Sequence, residues 1–159
     1  MKIRGMKERL IVGLKWEGTF EKAFRGDIRK VIKEVSRRKD EIENKVNDHE
    51  FAGVSIHDRR GGFTHYAGWE VKEGTPVPSG FEMCHLPEAD YLIFRHKKSK
   101  NIGDSYTEVL QNIHERGLTA LKPEEVDSYD ELPIKIELYP ADRVLDEEME
   151  FEIHIPVIK

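Results

Sequence analysis

Glu137 and Tyr139 carry the most suggestive chemistry in this chain. They lie in Leu132-Pro133-Ile134-Lys135-Ile136-Glu137-Leu138-Tyr139-Pro140, where Ile134, Ile136 and Leu138 alternate with Lys135, Glu137 and Tyr139. Period-two alternation between two prolines predicts one short strand with Glu137 and Tyr139 on the same face. A carboxylate beside an aromatic ring, backed by an apolar face, suits a cationic or hydrogen-bonding ligand. The same spacing also describes a solvated glutamate on an edge strand.

Further aromatics fall at loop-to-strand positions: Phe63, Tyr66, Trp69, Tyr91 and Tyr106. Rings this large are core by default. A pocket for a planar or cationic lipophilic molecule is nevertheless built from the same parts, rings for stacking and one carboxylate for charge. The seven histidines show no metal-ligand spacing: His49 and His57 are eight apart, and no His-x-x-x-His occurs, so no metal is expected. No Gly-x-Gly-x-x-Gly, Walker loop or Gly-x-Ser-x-Gly is present, and no cofactor is expected. Cys84, the single cysteine, excludes an internal disulfide and reads as a small core residue.

The elements that must position these residues follow from pattern. Residues 8–16 read as a strand broken by Glu17-Gly18. Thr19 caps a helix on which Phe24, Ile28, Val31, Ile32 and Val35 recur at helical spacing, Gly26 weakening it without ending it. The charged run 41–46 extends that helix, and Asn47-Asp48-His49 ends it. Residues 51–57 and 63–71 form a hairpin about the turn 58–62, with Phe63, His65, Ala67, Trp69 and Val71 on one face. After a Gly/Pro loop at 72–80 come strands at 81–86 and 90–96. A second helix follows, capped by Asp104 or Ser105, striped by Tyr106, Val109, Leu110 and Ile113, and closed by Gly117. Strands at 132–140 and 149–157 finish the chain. The order strand, helix, strand, strand thus occurs twice, over 8–71 and 90–157, which predicts an α+β fold of two antiparallel units about a shared groove.

At 159 residues the chain is long enough for one domain with a proper core. Its start, Met1 to Arg9, is charged where an export signal needs an apolar run, and no stretch is long enough to span a membrane, so the expected location is the cytoplasm. A net charge of −5 argues against direct nucleic-acid binding. The acid is concentrated in the stretches 124–131 and 146–150. Composition permits a monomer or a homodimer.

Four segments, Phe63 to Val71, Tyr91 to His96, Ile136 to Pro140 and Phe151 to Val157, resemble in order and spacing the GyrI-like small-molecule-binding family, which includes bacterial transcription-activator effector-binding domains. The resemblance covers about residues 8–157. It implies a single effector-binding domain over 1–159, with two pseudo-twofold strand-helix-strand-strand units around a ligand groove. It also implies that Glu137, within Glu-x-Tyr, faces that groove and meets amphipathic, often cationic ligands among aromatic rings, with Tyr139, Trp69, Tyr66, Tyr91, Tyr106 and Phe63 as candidate ligand contacts. Transcriptional members carry a helix-turn-helix before this module, and only about seven residues precede the first strand here, so a stand-alone binding module is expected. Two alternatives come from the same resemblance. One is a hydrolase of reactive cyclopropane-containing compounds using Glu137. The other is a protein inhibitor of DNA gyrase, whose basic target surface would meet the acidic stretches.

Overall fold

The computed structural model describes residues 1–124, 127–146 and 148–159; Glu125 and Glu147, members of the two acidic stretches, lie outside the described residues. The strands are β1 (Lys2–Met6), β2 (Arg9–Thr19), β3 (Glu50–Arg59), β4 (Gly62–Val71), β5 (Glu82–Leu86), β6 (Ala89–His96), β7 (Thr119–Ala120), β8 (Ile134–Pro140) and β9 (Phe151–Ile158). The helices are α1 (Phe20–Phe24), α2 (Asp27–Arg37) and α3 (Ile102–Glu115). All strands join one antiparallel sheet in the order β1-β6-β9-β8-β3-β4-β2-β5, with β7 against β9.

That order is a palindrome of the two units expected from the sequence. The unit β2-β4-β3 is mirrored by β6-β9-β8, and they join where β3 pairs with β8 from Glu50↔Pro140 to Ile56↔Ile134. The strand preceding each unit crosses to the other one, β1 onto β6 and β5 onto β2. β1 has no counterpart in the sequence reading, because Lys2 to Gly5 are exposed and leave no apolar alternation; only the edge of β6 makes it a strand.

Strand β2 runs on through Glu17-Gly18, where a break was expected, because Gly18 and Thr19 stay in register with Phe63 and Gly62 of β4. Gly13 and Gly68 face each other in this ladder, and a Cβ on Gly68 would stand 2.0 Å from the Val12 carbonyl oxygen. Only glycine admits so close an approach.

Thr19 caps the following helix as expected, its hydroxyl accepting from the Lys22 amide at 3.2 Å. Gly26, by contrast, ends that helix. At φ 106° it is left-handed, a conformation that glycine adopts without steric cost, and the chain turns there into a separate α2. Helix α2 stops at Arg37; a single 3₁₀ turn at Lys39–Glu41 and a left-handed Asn44 replace the expected continuation. Helix α3 starts one turn earlier than expected, capped by Asn101 through the Gly103 amide, and a left-handed Gly117 closes it.

Three apolar clusters hold the fold. Val12, Val35, Ile42, Phe51 and Trp69 pack between α2 and the sheet, and Leu92, Val109, Ile113, Ile153 and Ile155 pack between α3 and the sheet. The opposite sheet face folds on itself around Ile11, Val54, Leu86, Tyr91 and Ile136. In a flat sheet β2 and β6 would be about 24 Å apart, five spacings of about 4.8 Å. The Arg9 guanidinium of β2 nevertheless sits 4.9 Å over the Tyr91 ring of β6 and reaches Nδ1 of His154 at 3.3 Å. The sheet is therefore strongly curled. Cys84 lies in this inner cluster, its thiol pushed up to about 12 by burial, as befits a core residue. No helix is long and apolar enough to cross a membrane among the described residues.

Candidate functional site

Alternation along β8 sends Ile134, Ile136 and Leu138 into the inner cluster and Lys135, Glu137 and Tyr139 to the helix-bearing face. On this face of the central strands a cavity of about 370 Å³ opens between α1 with the first turn of α2 on one side and the first turns of α3 on the other. Its floor is formed by Ser55 and His57 of β3, Phe63 and His65 of β4, and Lys135, Glu137 and Tyr139 of β8. Phe20, Phe24 and Ile28 supply one wall, Ile102 and Tyr106 the other.

Glu137 is the organised group at the centre. Tyr106 donates to its Oε2 at 2.5 Å, and Tyr139 donates to its Oε1. Burial, and next the Glu137 charge, push both phenols well above the usual tyrosine range, so both remain hydrogen-bond donors through the physiological pH range. Tyr139 leans on Phe151 at 4.7 Å, which fixes the ring. Glu137 pairs with Gly53 of β3, and a Cβ on Gly53 would come within 3.2 Å of both the His65 and the Tyr139 rings. The missing side chain makes room for the carboxylate cluster.

The nearest cation on the same strand, Lys135, pairs with Asp130 at 3.3 Å instead. Among the described residues no ion pair involves Glu137.

The rest of the floor is aromatic and neutral. His57 lies nearly parallel to Phe63 at 5.5 Å and to Phe20 at 6.0 Å, and Trp16 extends the row beyond Phe63 at 5.2 Å. Burial lowers His57 to about 4, with Lys135 adding to the effect, and lowers His65 to about 4 as well. His65 shares a 2.9 Å hydrogen bond with Ser55.

Four of the residues proposed from sequence thus meet in one cavity: Glu137, Tyr139, Tyr106 and Phe63. Three do not. Trp69 shares a strand face with Phe63 and His65, but that face continues under α2, where Trp69 is buried edge-on against Phe51 at 5.5 Å. Tyr66 and Tyr91 point to the inner cluster, and the Tyr91 hydroxyl is spent on the Pro87 carbonyl at 2.6 Å.

Other residues of the site escaped the sequence reading. Lys135 and His65 were visible in principle, since each shares a period-two face with a candidate. His57 and Ser55 had no local signal. Phe24, expected on the buried stripe of its helix, is 90% exposed at the mouth of the cavity, because the turn at Gly26 takes α1 off the axis of α2.

The family described as Cass2, integron-associated effector binding protein, matches residues 2–157. The transcriptional regulator BrlR of Pseudomonas aeruginosa is 31% identical over 96 residues, 59% of this chain and 36% of its own length, so the match spans about a third of that protein. Among solved structures, SAV2435 bound to tetraphenylphosphonium superposes with a TM-score of 0.68 at 16% identity, covering 99% of this chain and 93% of that one. A structure described as a hydrolase from Listeria innocua gives a TM-score of 0.56 at 11% identity, covering 99% and 91%. At these identities the structural matches speak for the fold alone.

Proposed function

The chain belongs to the integron-associated effector binding protein family, Cass2, and from that premise we propose that it holds an amphipathic, cationic aromatic small molecule in the groove, with Glu137 as the charge partner. The match bears out the GyrI-like resemblance read in the four sequence motifs.

One observation carries the reading. Glu137 presents a carboxylate oriented by two tyrosine hydroxyls, inside an aromatic cavity, with the nearest cation on its strand, Lys135, paired elsewhere. Taking a carboxylate out of water is costly unless an opposite charge compensates it. A lipophilic cation supplies that charge and itself gives up little hydration, while its rings pack on His57, Phe63 and Phe20. The cavity volume lies within the usual range for small-molecule sites, about 300–1,000 Å³. The tetraphenylphosphonium bound by SAV2435 is a ligand of this class.

A fluorescence titration with rhodamine 6G, and competition by tetraphenylphosphonium, tests the proposal. Glu137→Gln keeps the shape and removes the charge, and is expected to weaken both ligands by about 1–3 kcal/mol, the scale of a desolvated charge-assisted contact. Unchanged affinity would remove Glu137 from the site.

A hydrolytic reading draws on the same carboxylate. It requires a water activated by Glu137, and each Glu137 oxygen, although it already accepts one phenolic hydrogen, keeps a second lone pair for that water. Catalytic turnover of a strained cyclopropane-containing substrate, abolished in Glu137→Gln, would favour it over binding alone.

A further inference from the structure

The groove carries two opposite charges on one strand face. Lys135 and Glu137 are two residues apart on β8, about 6.7 Å along the strand, and both line the same cavity. Tyr106 spans them: its hydroxyl donates to Glu137, and the Lys135 ammonium stands 5.0 Å from the centroid of its ring. The Lys135 side chain is 18% exposed and is moored on one side only, by Asp130 Oδ2 at 3.3 Å. Asp130 is itself held in place, its Oδ1 accepting from the Leu132 amide at 2.8 Å. An ammonium has three donors, and among the described residues one of those of Lys135 is used. Two are left for a bound molecule.

A ligand that is only a cation is attracted at Glu137 and repelled at Lys135, a repulsion that the Asp130 carboxylate at 3.3 Å reduces without removing. A ligand that adds a carboxylate turns the second contact into a charge-assisted hydrogen bond and keeps the first. We propose that this groove selects amphoteric aromatic ligands, with a cationic centre at Glu137 and an acidic substituent at Lys135, which makes Lys135 the specificity-determining residue. The inference rests on the preceding reading of Glu137 and adds the second pole of the ligand.

Rhodamine 110, a zwitterion, and rhodamine 123, its methyl ester and a monocation, differ only in the acidic group. Fluorescence-anisotropy titrations of both dyes against the wild type, Lys135→Met, Lys135→Arg and Glu137→Gln test the proposal. The wild type is expected to prefer the acid by about tenfold, the scale of one charge-assisted hydrogen bond. Lys135→Met should erase that preference by weakening the acid and tightening the ester, and Lys135→Arg should keep it. Melting curves of each variant establish that it is folded. Dyes that bind in a Glu137-dependent manner without discrimination between acid and ester, or with the ester preferred, would overturn the role of Lys135 and leave the cation-binding reading standing. Failure of both dyes to bind the folded wild type would overturn both.

Discussion

Tyr106 on α3 and Glu137 on β8 are 31 residues apart in the chain and joined by a 2.5 Å hydrogen bond across the groove. With Tyr139 donating to the other carboxylate oxygen, the helix and the central strand are tied at the point where charge is presented. The free protein therefore maintains the site before any ligand arrives, which lowers the ordering cost of binding.

Replacing either tyrosine by phenylalanine leaves one Glu137 oxygen short of a donor. Tyr106→Phe and Tyr139→Phe are each expected to cost about 1–3 kcal/mol of stability, and the double variant less than their sum, since both act on one carboxylate. Urea denaturation of the three variants measures the coupling. Strict additivity would show that the two hydroxyls act independently.

The neutral histidines make stability depend on pH. His57 and His65 have folded-state values near 4, below the ordinary 6.5. The unfolded chain then binds more protons than the folded one between those values, so stability rises with pH across that window and is lost as pH falls from about 6.5 towards 4. Each histidine contributes on the order of 3 kcal/mol, the interval from 6.5 down to about 4 taken at about 1.36 kcal/mol per pH unit. Urea midpoints between pH 4 and 7 should show this slope, to which His96 and His154, also lowered by burial, add, and His65→Gln should flatten it in part.

Gly53 is expected to be intolerant of even one methyl group. A Cβ there lies 3.2 Å from both the His65 and Tyr139 rings, so Gly53→Ala requires both rings to give by a few tenths of an ångström. A stability loss of about 1–3 kcal/mol is expected from overpacking, with a smaller loss of dye affinity as Tyr139 shifts against Glu137. Thermal melts and the rhodamine titration measure the two effects separately.

Phe24 offers the opposite separation. At 90% exposure its removal costs the fold little, and Phe24→Ser should change stability by no more than about 0.5 kcal/mol. Because the ring stands at the mouth of the cavity, the same change should weaken an aromatic ligand. Equal dye affinity in Phe24→Ser and the wild type would place the ligand deeper, against His57 and Phe63.

Local alternation determined a good deal by itself. The residue pattern of β8 put Lys135, Glu137 and Tyr139 on one face, because side-chain direction in a strand follows from period alone, and the twofold strand-helix-strand-strand order announced two related antiparallel units, though not the order of their strands. Thr19 and Gly117 marked helix ends for equally local reasons, a side-chain cap and a left-handed turn. Which aromatics share the groove was decided only by tertiary structure. Phe63 and Trp69 have the same parity on β4, and α2 covers one and leaves the other; the face that carries Tyr91 is buried because the sheet curls until β2 meets β6. The strand β1 likewise exists through its pairing with β6 and not through any pattern of its own. Periodicity reports the side of an element and is fixed within a few residues. What lies against that side depends on pairings between residues far apart in the chain, as Tyr106 and Glu137 are.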